Sequence, residues 1–134
     1  MCNALRILVV DDCRDTAAML GTLLQQSGYV VETALDGRSA IEAADRFRPD
    51  VVLLDLVMPV VSGYMVAEML RESASHASTL IVALTGLTKD SDRLKALKAG
   101  FDDYLIKPAS VTDLLRVMRR HCRAPDGGRA ISND

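Results

Sequence analysis

Short apolar runs rich in β-branched residues alternate along the chain with longer segments whose apolar residues recur at helical spacing. The runs cover residues 5–10, 29–33, 51–54, 80–84 and 103–106. The first helical segment covers about residues 15–26, and the second follows Asp36-Gly37. The third begins near Gly63, the fourth begins near Thr88, and the fifth follows Ser110. The first, third and fourth runs are almost continuously apolar, which is typical of strands buried on both faces of a parallel sheet. The pattern predicts an α/β fold with a three-layer α/β/α architecture.

Capping and turn residues set the expected limits of the last helices and of the domain. The fourth helix is expected to close at Ala99-Gly100. Ser110 is expected to cap the fifth helix, whereas Asp113 is expected to lack the reach of a capping-box glutamate. Helical periodicity stops after the fifth helix, so residues 1–123 are predicted to form the domain and residues 124–134 a flexible C-terminal tail.

Composition and charge limit the classes of function. The chain has 134 residues, 49% hydrophobic and 25% charged, as in an ordinary globular domain. This length fits one domain and leaves no room for a second of useful size. Lys and Arg number 16 and Asp and Glu number 18, a net charge of -2 without the basic excess of a nucleic-acid binder. Nucleic acid is therefore not an expected partner.

Neither a membrane span nor an export signal is predicted. The longest apolar tract, residues 51–61, is interrupted by Asp55 and Pro59 and falls short of the roughly 18 residues of a membrane helix. The first apolar run contains Arg6 and is shorter than the core of a secretory signal. The cysteines have neither zinc-site spacing nor the even number of a disulfide framework: Cys2, Cys13 and Cys122. These features predict a cytoplasmic protein without a membrane partner.

Polar side chains stand where four of the predicted strands end. Asp11 and Asp12 follow the first run, and Asp55 follows the third. Thr85 follows the fourth run, and Lys107 follows the fifth. Because parallel strands end at one edge of their sheet, where such folds bind ligands, these five side chains are expected to form one site.

The charges of this expected site point to phosphoryl chemistry. Its three carboxylates and one ammonium leave an excess of two negative charges. Like charges about 5 Å apart repel by about 3 kcal/mol at an effective dielectric constant of 20, so a counter-ion or protons are needed. Oxygen ligands at this density favour Mg²⁺, which commonly pairs carboxylates with a phosphate oxygen. Asp55 is the best-placed nucleophile for an aspartyl phosphate, with Thr85 and Lys107 holding the other phosphoryl oxygens.

Four motifs together resemble the receiver domain of two-component response regulators. They are VVDD at 9–12, LLDLVMP at 53–59, ALTG at 83–86 and YLIKP at 104–108. The similarity covers about residues 6–120 and includes all five polar positions in order. It implies a CheY-like, flavodoxin-like parallel sheet of five strands in the order 2-1-3-4-5, which the apolar pattern alone does not supply.

The resemblance also implies the partner and the metal ligands. A histidine kinase or a histidine phosphotransfer protein would donate a phosphoryl group to Asp55. Mg²⁺ would be held by Asp11, Asp12 and Asp55, with the Val57 carbonyl as a further ligand. The protein would then act as a phospho-acceptor that switches its binding to an unknown downstream target, and not as an enzyme that turns over a substrate.

A second group of residues would read the phosphoryl state. The resemblance implies that Thr85 and Tyr104 form a switch pair. On phosphorylation, the Thr85 hydroxyl would move toward a phosphoryl oxygen and the Tyr104 ring would turn inward. Gly86 offers a backbone N–H to the phosphoryl group without a Cβ in the way. The Lys107–Pro108 bond is expected to be cis.

Two positions that tune hydrolysis in receivers are apolar here. They are Val57, two residues after the phospho-acceptor, and Leu87, two residues after the switch hydroxyl. Neither side chain can orient an attacking water. We therefore expect a long-lived acyl phosphate.

Alternatives to a stand-alone receiver remain open at this point. A phosphatase of the haloacid-dehalogenase type also uses an aspartyl phosphate, but it needs an acid two residues after its nucleophile, where Cys13 follows Asp11. A receiver-like interaction module that is never phosphorylated is the third interpretation. Homodimers through helix four, strand five and helix five are common among such proteins, and the sequence decides neither for a dimer nor for a monomer.

Overall fold

The computed structural model describes residues 5–86 and 89–121, which contain five strands alternating with five helices. The strands are β1 (Arg6–Val10), β2 (Val30–Ala34), β3 (Val51–Asp55), β4 (Leu80–Thr85) and β5 (Asp103–Ile106). The helices are α1 (Arg14–Gln26), α2 (Gly37–Phe47), α3 (Gly63–Glu72), α4 (Asp90–Ala99) and α5 (Val111–His121), with a short 3-10 helix (Ala74–His76) after α3. The predicted tail and Thr88 lie outside the described residues.

All strand pairings are parallel, and the strand order is β2-β1-β3-β4-β5, which confirms the predicted topology. In register, Val10 pairs with Leu54 and Asp55 pairs with Leu84. Thr85 pairs with Ile106 at the far side of the sheet. The carboxyl ends of β1, β3, β4 and β5 therefore lie along one edge, within a residue of one another in register.

The central strands have helices on both faces. Side chains such as Leu8, Val52 and Ile81 pack into a core beneath α2, α3 and α4. Their sequence neighbours, such as Ile7 and Val82, pack into the other core beneath α1 and α5. Period-two alternation thus sends successive residues into opposite cores, and both faces are apolar. None of the helices in the two described ranges combines the length and apolar character needed to cross a bilayer.

Three helices begin with side-chain caps. The Ser39 N–H donates to Asp36 Oδ1 at 2.8 Å at the start of α2, and the Met65 N–H donates to Ser62 Oγ at 3.3 Å at the start of α3. At α5 the Asp113 N–H donates to Ser110 Oγ at 3.1 Å, and the Ser110 N–H donates to Asp113 Oδ2 at 3.2 Å. The expectation that Asp113 is too short was wrong, because the cap residue's N–H lies close enough for the shorter carboxylate to reach.

The connection from β3 to α3 contains a strained turn. Val60 has a φ of 68°, in the left-handed region that β-branched residues avoid, and its side chain is 97% exposed. The Val61 N–H donates to the Pro59 carbonyl at 2.8 Å and so closes a three-residue turn around Val60. Exposed as it is, the Val60 side chain gains no packing that could offset the strain.

Two close approaches hold this turn in place. A Cβ at Gly37, the first residue of α2, would lie 2.6 Å from the Cβ of Val61. A Cβ at Gly63 would overlap the carbonyl oxygen of Asp55, and the Gly63 N–H donates to the Leu56 carbonyl at 3.0 Å. Both ends of the connection are therefore fixed by packing, and the residue between them must accept the positive φ.

We expect Val60→Gly to stabilise the protein. Removing the Cβ relieves left-handed strain of about 1–2 kcal/mol, while the greater freedom of glycine in the unfolded chain offsets about half of it. The free energy of unfolding from urea denaturation should rise by about 0.5–1 kcal/mol. Val30→Gly is the matched control, because Val30 is also an exposed valine but lies in extended β2. Equal losses of stability in both variants would contradict the strain at Val60.

Candidate functional site

Three carboxylates converge at the carboxyl edge of the sheet. Asp11 follows β1 directly, its N–H donates to the Ala34 carbonyl at 3.1 Å, and it is fully buried. Asp55 is the last residue of β3 and is 6% exposed, whereas Asp12 is exposed. One carboxylate oxygen from each of Asp11, Asp12 and Asp55 lies within 4.8 Å of the others. The register of β1 on β3 thus brings side chains 44 residues apart into one cluster.

Lys107 supplies the positive charge beside two of these acids. Its Nζ lies 2.7 Å from Asp11 Oδ2 and 3.3 Å from Asp55 Oδ2. The Lys107 N–H donates to the Thr85 carbonyl at 2.7 Å, which attaches the residue to the end of β4. The Lys107–Pro108 bond is cis, as expected. One ammonium group therefore bridges two buried carboxylates from different strands.

Backbone N–H groups fix the other oxygens of the two buried acids. The Cys13 N–H donates to Asp11 Oδ1 at 2.9 Å, and the Val57 N–H donates to Asp55 Oδ1 at 3.2 Å. In both carboxylates, Oδ1 is thus held by the main chain two residues further on, and Oδ2 faces Lys107. The two acids are oriented toward the same space.

The three carboxylates and Lys107 together carry an excess of negative charge. Burial raises the pKa of Asp55 above its ordinary value, and the Lys107 ammonium and the Val57 N–H offset only part of this effect. For Lys107, burial lowers the pKa, but the hydrogen bond with Asp11 and the charge of Asp55 outweigh it, and the pKa is raised overall. The ammonium is therefore held in its charged form, while the Asp55 carboxylate is under-compensated.

Thr85 is the last residue of β4, and Tyr104 lies in the neighbouring strand β5. Thr85 is 1% exposed and Tyr104 is 7% exposed, and the two side chains are joined by a hydrogen bond. The guanidinium carbon of Arg93, on α4, lies 5.3 Å from the centre of the Tyr104 ring. The ring of Tyr104 is thus turned inward and connects Thr85 to α4.

The remaining predicted positions surround the cluster. Val57 is 61% exposed on the loop that follows β3. Gly86 is exposed, and a Cβ there would meet no atom within 4 Å, so the space beside Thr85 is open. Leu87 lies outside the described residues.

The sequence analysis missed three contributors to this site. The N–H groups of Cys13 and Val57 orient the acids, but every residue carries an N–H, so no side-chain signal marks them. Arg93 carried no signal either, because its contact with Tyr104 depends on how α4 packs on β5. A strand-end acid followed by two residues of tight turn is the one pattern that could have suggested the N–H contacts.

Comparison with known proteins identifies the family. The profile of the response regulator receiver domain matches residues 7–119. The response regulator MprA of Mycolicibacterium vanbaalenii is 42% identical over 129 residues, which cover 95% of this chain and 55% of that protein. The chain thus spans about half the length of this curated relative. None of these matches supports a phosphatase or a phosphorylation-independent module.

Solved structures show the same fold. The chemotaxis protein CheY4 of Vibrio cholerae superposes with a TM-score of 0.84 at 33% identity, covering 89% of this chain and 99% of that one. The receiver domain of the sensor histidine kinase PA1611 of Pseudomonas aeruginosa has a TM-score of 0.80 at 33% identity, covering 89% and 98%, and holds a magnesium ion in its active-site cleft. The fold, the order of the acidic residues along the chain and the matched profile agree with one another. The chain therefore belongs to the response regulator receiver domain family.

Proposed function

We propose that this chain accepts a phosphoryl group on Asp55 from a histidine kinase or a histidine phosphotransfer protein, and that the modification switches its binding to a downstream protein. The observation that carries the proposal is the convergence of three carboxylates and Lys107 on one space at the sheet edge. The chain acts stoichiometrically, and its own catalysis is limited to its phosphorylation and slow dephosphorylation. Residues 1–123 form the receiver and residues 124–134 a tail in this proposal.

The residues present fit a magnesium ion. All donors in the acidic cluster are oxygens, their ligand atoms lie within 4.8 Å of one another, and two of the three acids are buried. Hard oxygen donors at this density are those that Mg²⁺ prefers. Asp11, Asp12 and Asp55 would hold the ion, with the Val57 carbonyl as a further ligand. When bound, the ion supplies positive charge to the acids and to the incoming phosphoryl oxygens.

Asp55 is the nucleophile of the proposed reaction. One of its carboxylate oxygens forms a bond to the phosphorus of the donor phosphohistidine, and the N–P bond breaks with its electron pair left on the histidine nitrogen. Lys107, the Thr85 hydroxyl and the Gly86 N–H compensate the charge on the phosphoryl oxygens. Two fixed contacts, from Lys107 and from the Val57 N–H, hold the Asp55 carboxylate in place before reaction.

The switch runs from Thr85 to the surface of α4 and β5. If the Thr85 hydroxyl turns to a phosphoryl oxygen, its bond with Tyr104 changes, and Arg93 rests on that ring. Leu94, Leu97 and Ile106 on this face are 58%, 51% and 40% exposed. These apolar side chains support α4, β5 and α5 as the surface that contacts a downstream protein or a second copy of the chain.

The proposed partners are proteins in the cytoplasm. The near-balanced net charge of -2 gives no basis for binding nucleic acid. The odd number of cysteines, without disulfide or zinc-site spacing, suits a reducing compartment. Neither a membrane nor a nucleic acid belongs to the proposed function.

Without Mg²⁺, Asp55→Asn should stabilise the protein at pH 7. The raised pKa of Asp55 means that its ionised form is less favourable in the folded than in the unfolded state. Removing that charge should increase the free energy of unfolding, measured with urea, by on the order of 1 kcal/mol. Added Mg²⁺ should then stabilise the wild type more than the variant.

Changing the pH provides the control for this prediction. As the pH falls through the raised folded-state pKa toward the ordinary value of 3.8, Asp55 becomes protonated and its unfavourable charge disappears. The difference in unfolding free energy between Asp55→Asn and the wild type should therefore shrink toward zero. A difference that grows as the pH is lowered would show that Asp55 has a depressed pKa instead.

Acetyl phosphate with Mg²⁺ should place one phosphoryl group on each wild-type chain, seen by intact-mass spectrometry. Asp55→Asn should take up none, and Lys107→Ala should label at least about tenfold more slowly because a phosphoryl-oxygen contact is lost. Asp15→Asn is the matched control, since Asp15 is an exposed acid in the first turn of α1. Catalytic turnover of a generic phosphate ester, or labelling of Asp55→Asn at the wild-type rate, would refute the proposal.

The acyl phosphate should persist well beyond seconds in Mg²⁺ buffer. Val57 is apolar and exposed beside the acids, so it cannot orient an attacking water. Val57→Asn introduces such a group and should shorten the lifetime, followed by loss of the phosphoryl mass, by about tenfold or more. Val30→Asn, an exposed valine on β2, should leave the lifetime unchanged. Decay of the wild-type phosphate within seconds would disprove the expectation.

A further inference from the structure

Tyr64, in the first turn of α3, carries a hydroxyl with no hydrogen-bonding partner. Within the residues that the structure describes, its oxygen is the one buried side-chain nitrogen or oxygen atom that lacks a partner. A buried hydroxyl left unpaired destabilises the state that contains it. Each unpaired buried polar group in a native structure therefore needs a physical explanation. One explanation is a second conformation of the protein in which the group forms a hydrogen bond.

The hydroxyl lies in the space between α3 and α4. The Tyr64 ring meets the Phe101 ring edge to face, with centroids 6.5 Å apart, and the Lys95 Nζ lies 4.5 Å from the Tyr64 centroid. Burial raises the pKa of Tyr64, and the nearby charge of Asp92 and the Tyr104 phenol raise it further. Tyr64 therefore shares its surroundings with the proposed switch residue.

The attachment of α4 is thin along its length. Its buried residues are Ala96 and Ala99, which give it little apolar contact. Two cations on the helix lie over tyrosine rings, Arg93 over Tyr104 and Lys95 over Tyr64. The Tyr104 and Tyr64 rings thus support the middle of α4.

The far end of α4 is fixed more firmly. The Arg71 Nε donates to the Gly100 carbonyl at 2.9 Å, and the NH1 of the same side chain donates to the Thr79 carbonyl at 2.7 Å. Gly100 caps the helix with a φ of 110°. A helix held at its C-terminal end and resting on two rings near its middle can pivot about the fixed end.

Asp92 lies on the face of α4 that carries the buried residues of the helix. It precedes the buried Ala96 by four residues and Ala99 by seven, the spacing that places side chains on one face of a helix. Its charge influences both Tyr64 and Tyr104.

We propose that Tyr64 is a second switch hydroxyl, and that phosphorylation moves α4 so that the Asp92 carboxylate accepts a hydrogen bond from the Tyr64 hydroxyl. This inference rests on the proposed function. The unpaired hydroxyl destabilises the resting state and the new bond stabilises the phosphorylated one, so both terms favour activation. A ligand that selects the second state binds more tightly by the same factor.

Tyr64→Phe tests the proposal through two readouts with opposite signs. Loss of the unpaired hydroxyl should raise the urea midpoint of the resting protein. The same change should weaken the affinity for beryllofluoride in Mg²⁺, followed by NMR titration of backbone amides, by about tenfold. A side chain that only fills space would not shift the two quantities in opposite directions.

Asp92→Ala identifies the partner of the hydroxyl. It should weaken beryllofluoride binding about tenfold in the wild type but have little further effect in Tyr64→Phe, because the two groups then contribute one shared interaction. Asp90→Ala is the matched control, since Asp90 is also an acid in the first turn of α4 and is exposed. It should leave the affinity within twofold of the wild type.

Each result bears on one of the two proposals. A wild type that does not respond to beryllofluoride in Mg²⁺ contradicts the proposed function and, with it, the inference. A wild type that responds, together with Tyr64→Phe of unchanged affinity, overturns the role of Tyr64 and leaves the proposed function standing. Additive effects of Asp92→Ala and Tyr64→Phe would overturn the pairing between them.

Discussion

The bridge from Lys107 to Asp11 and Asp55 is the interaction on which the functional site depends. Carboxylates about 5 Å apart repel by about 3 kcal/mol at an effective dielectric constant of 20, and two of those in the cluster are buried. One ammonium at 2.7 and 3.3 Å compensates part of that repulsion and leaves an excess of negative charge. The fold thus holds the acids in an arrangement that a hard cation and a phosphoryl group would complete.

The sheet keeps this unfavourable cluster together because its packing is independent of the site. β1, β3 and β4 are covered on both faces, so the positions of their carboxyl ends follow from the two apolar cores. The loop after β3 adds a second constraint, because Gly37 and Gly63 hold it on either side of the strained Val60. Strain of this kind persists only where the surrounding contacts over-determine the backbone, and here it lies five residues after Asp55.

Most of the fold and the acidic cluster could be predicted, because apolar periodicity and strand-end position are local signals. The strand order came from the resemblance, since periodicity cannot say which strands are neighbours. Asp113 was misjudged because capping depends on the backbone geometry at Ser110 and not on side-chain length alone. Val60 could not be foreseen, because its residue type argues against a positive φ. Tyr64 gave no signal, since its unpaired hydroxyl arises from packing between α3 and α4.

Helix α4 connects these features, because the few contacts that hold it include one with Tyr104, a residue of the proposed switch. A helix with an extensive apolar face would resist displacement, whereas α4 buries two alanines and rests its charged side chains on Tyr64 and Tyr104. Cation–π contacts are worth about 0.5–2 kcal/mol each, comparable with the free energy available from re-pairing one buried hydroxyl. Terms of equal size can exchange without unfolding the domain, so the proposed change at Thr85 would have to supply only about that much free energy to reposition a helix whose fixed point is the Arg71 contact with Gly100.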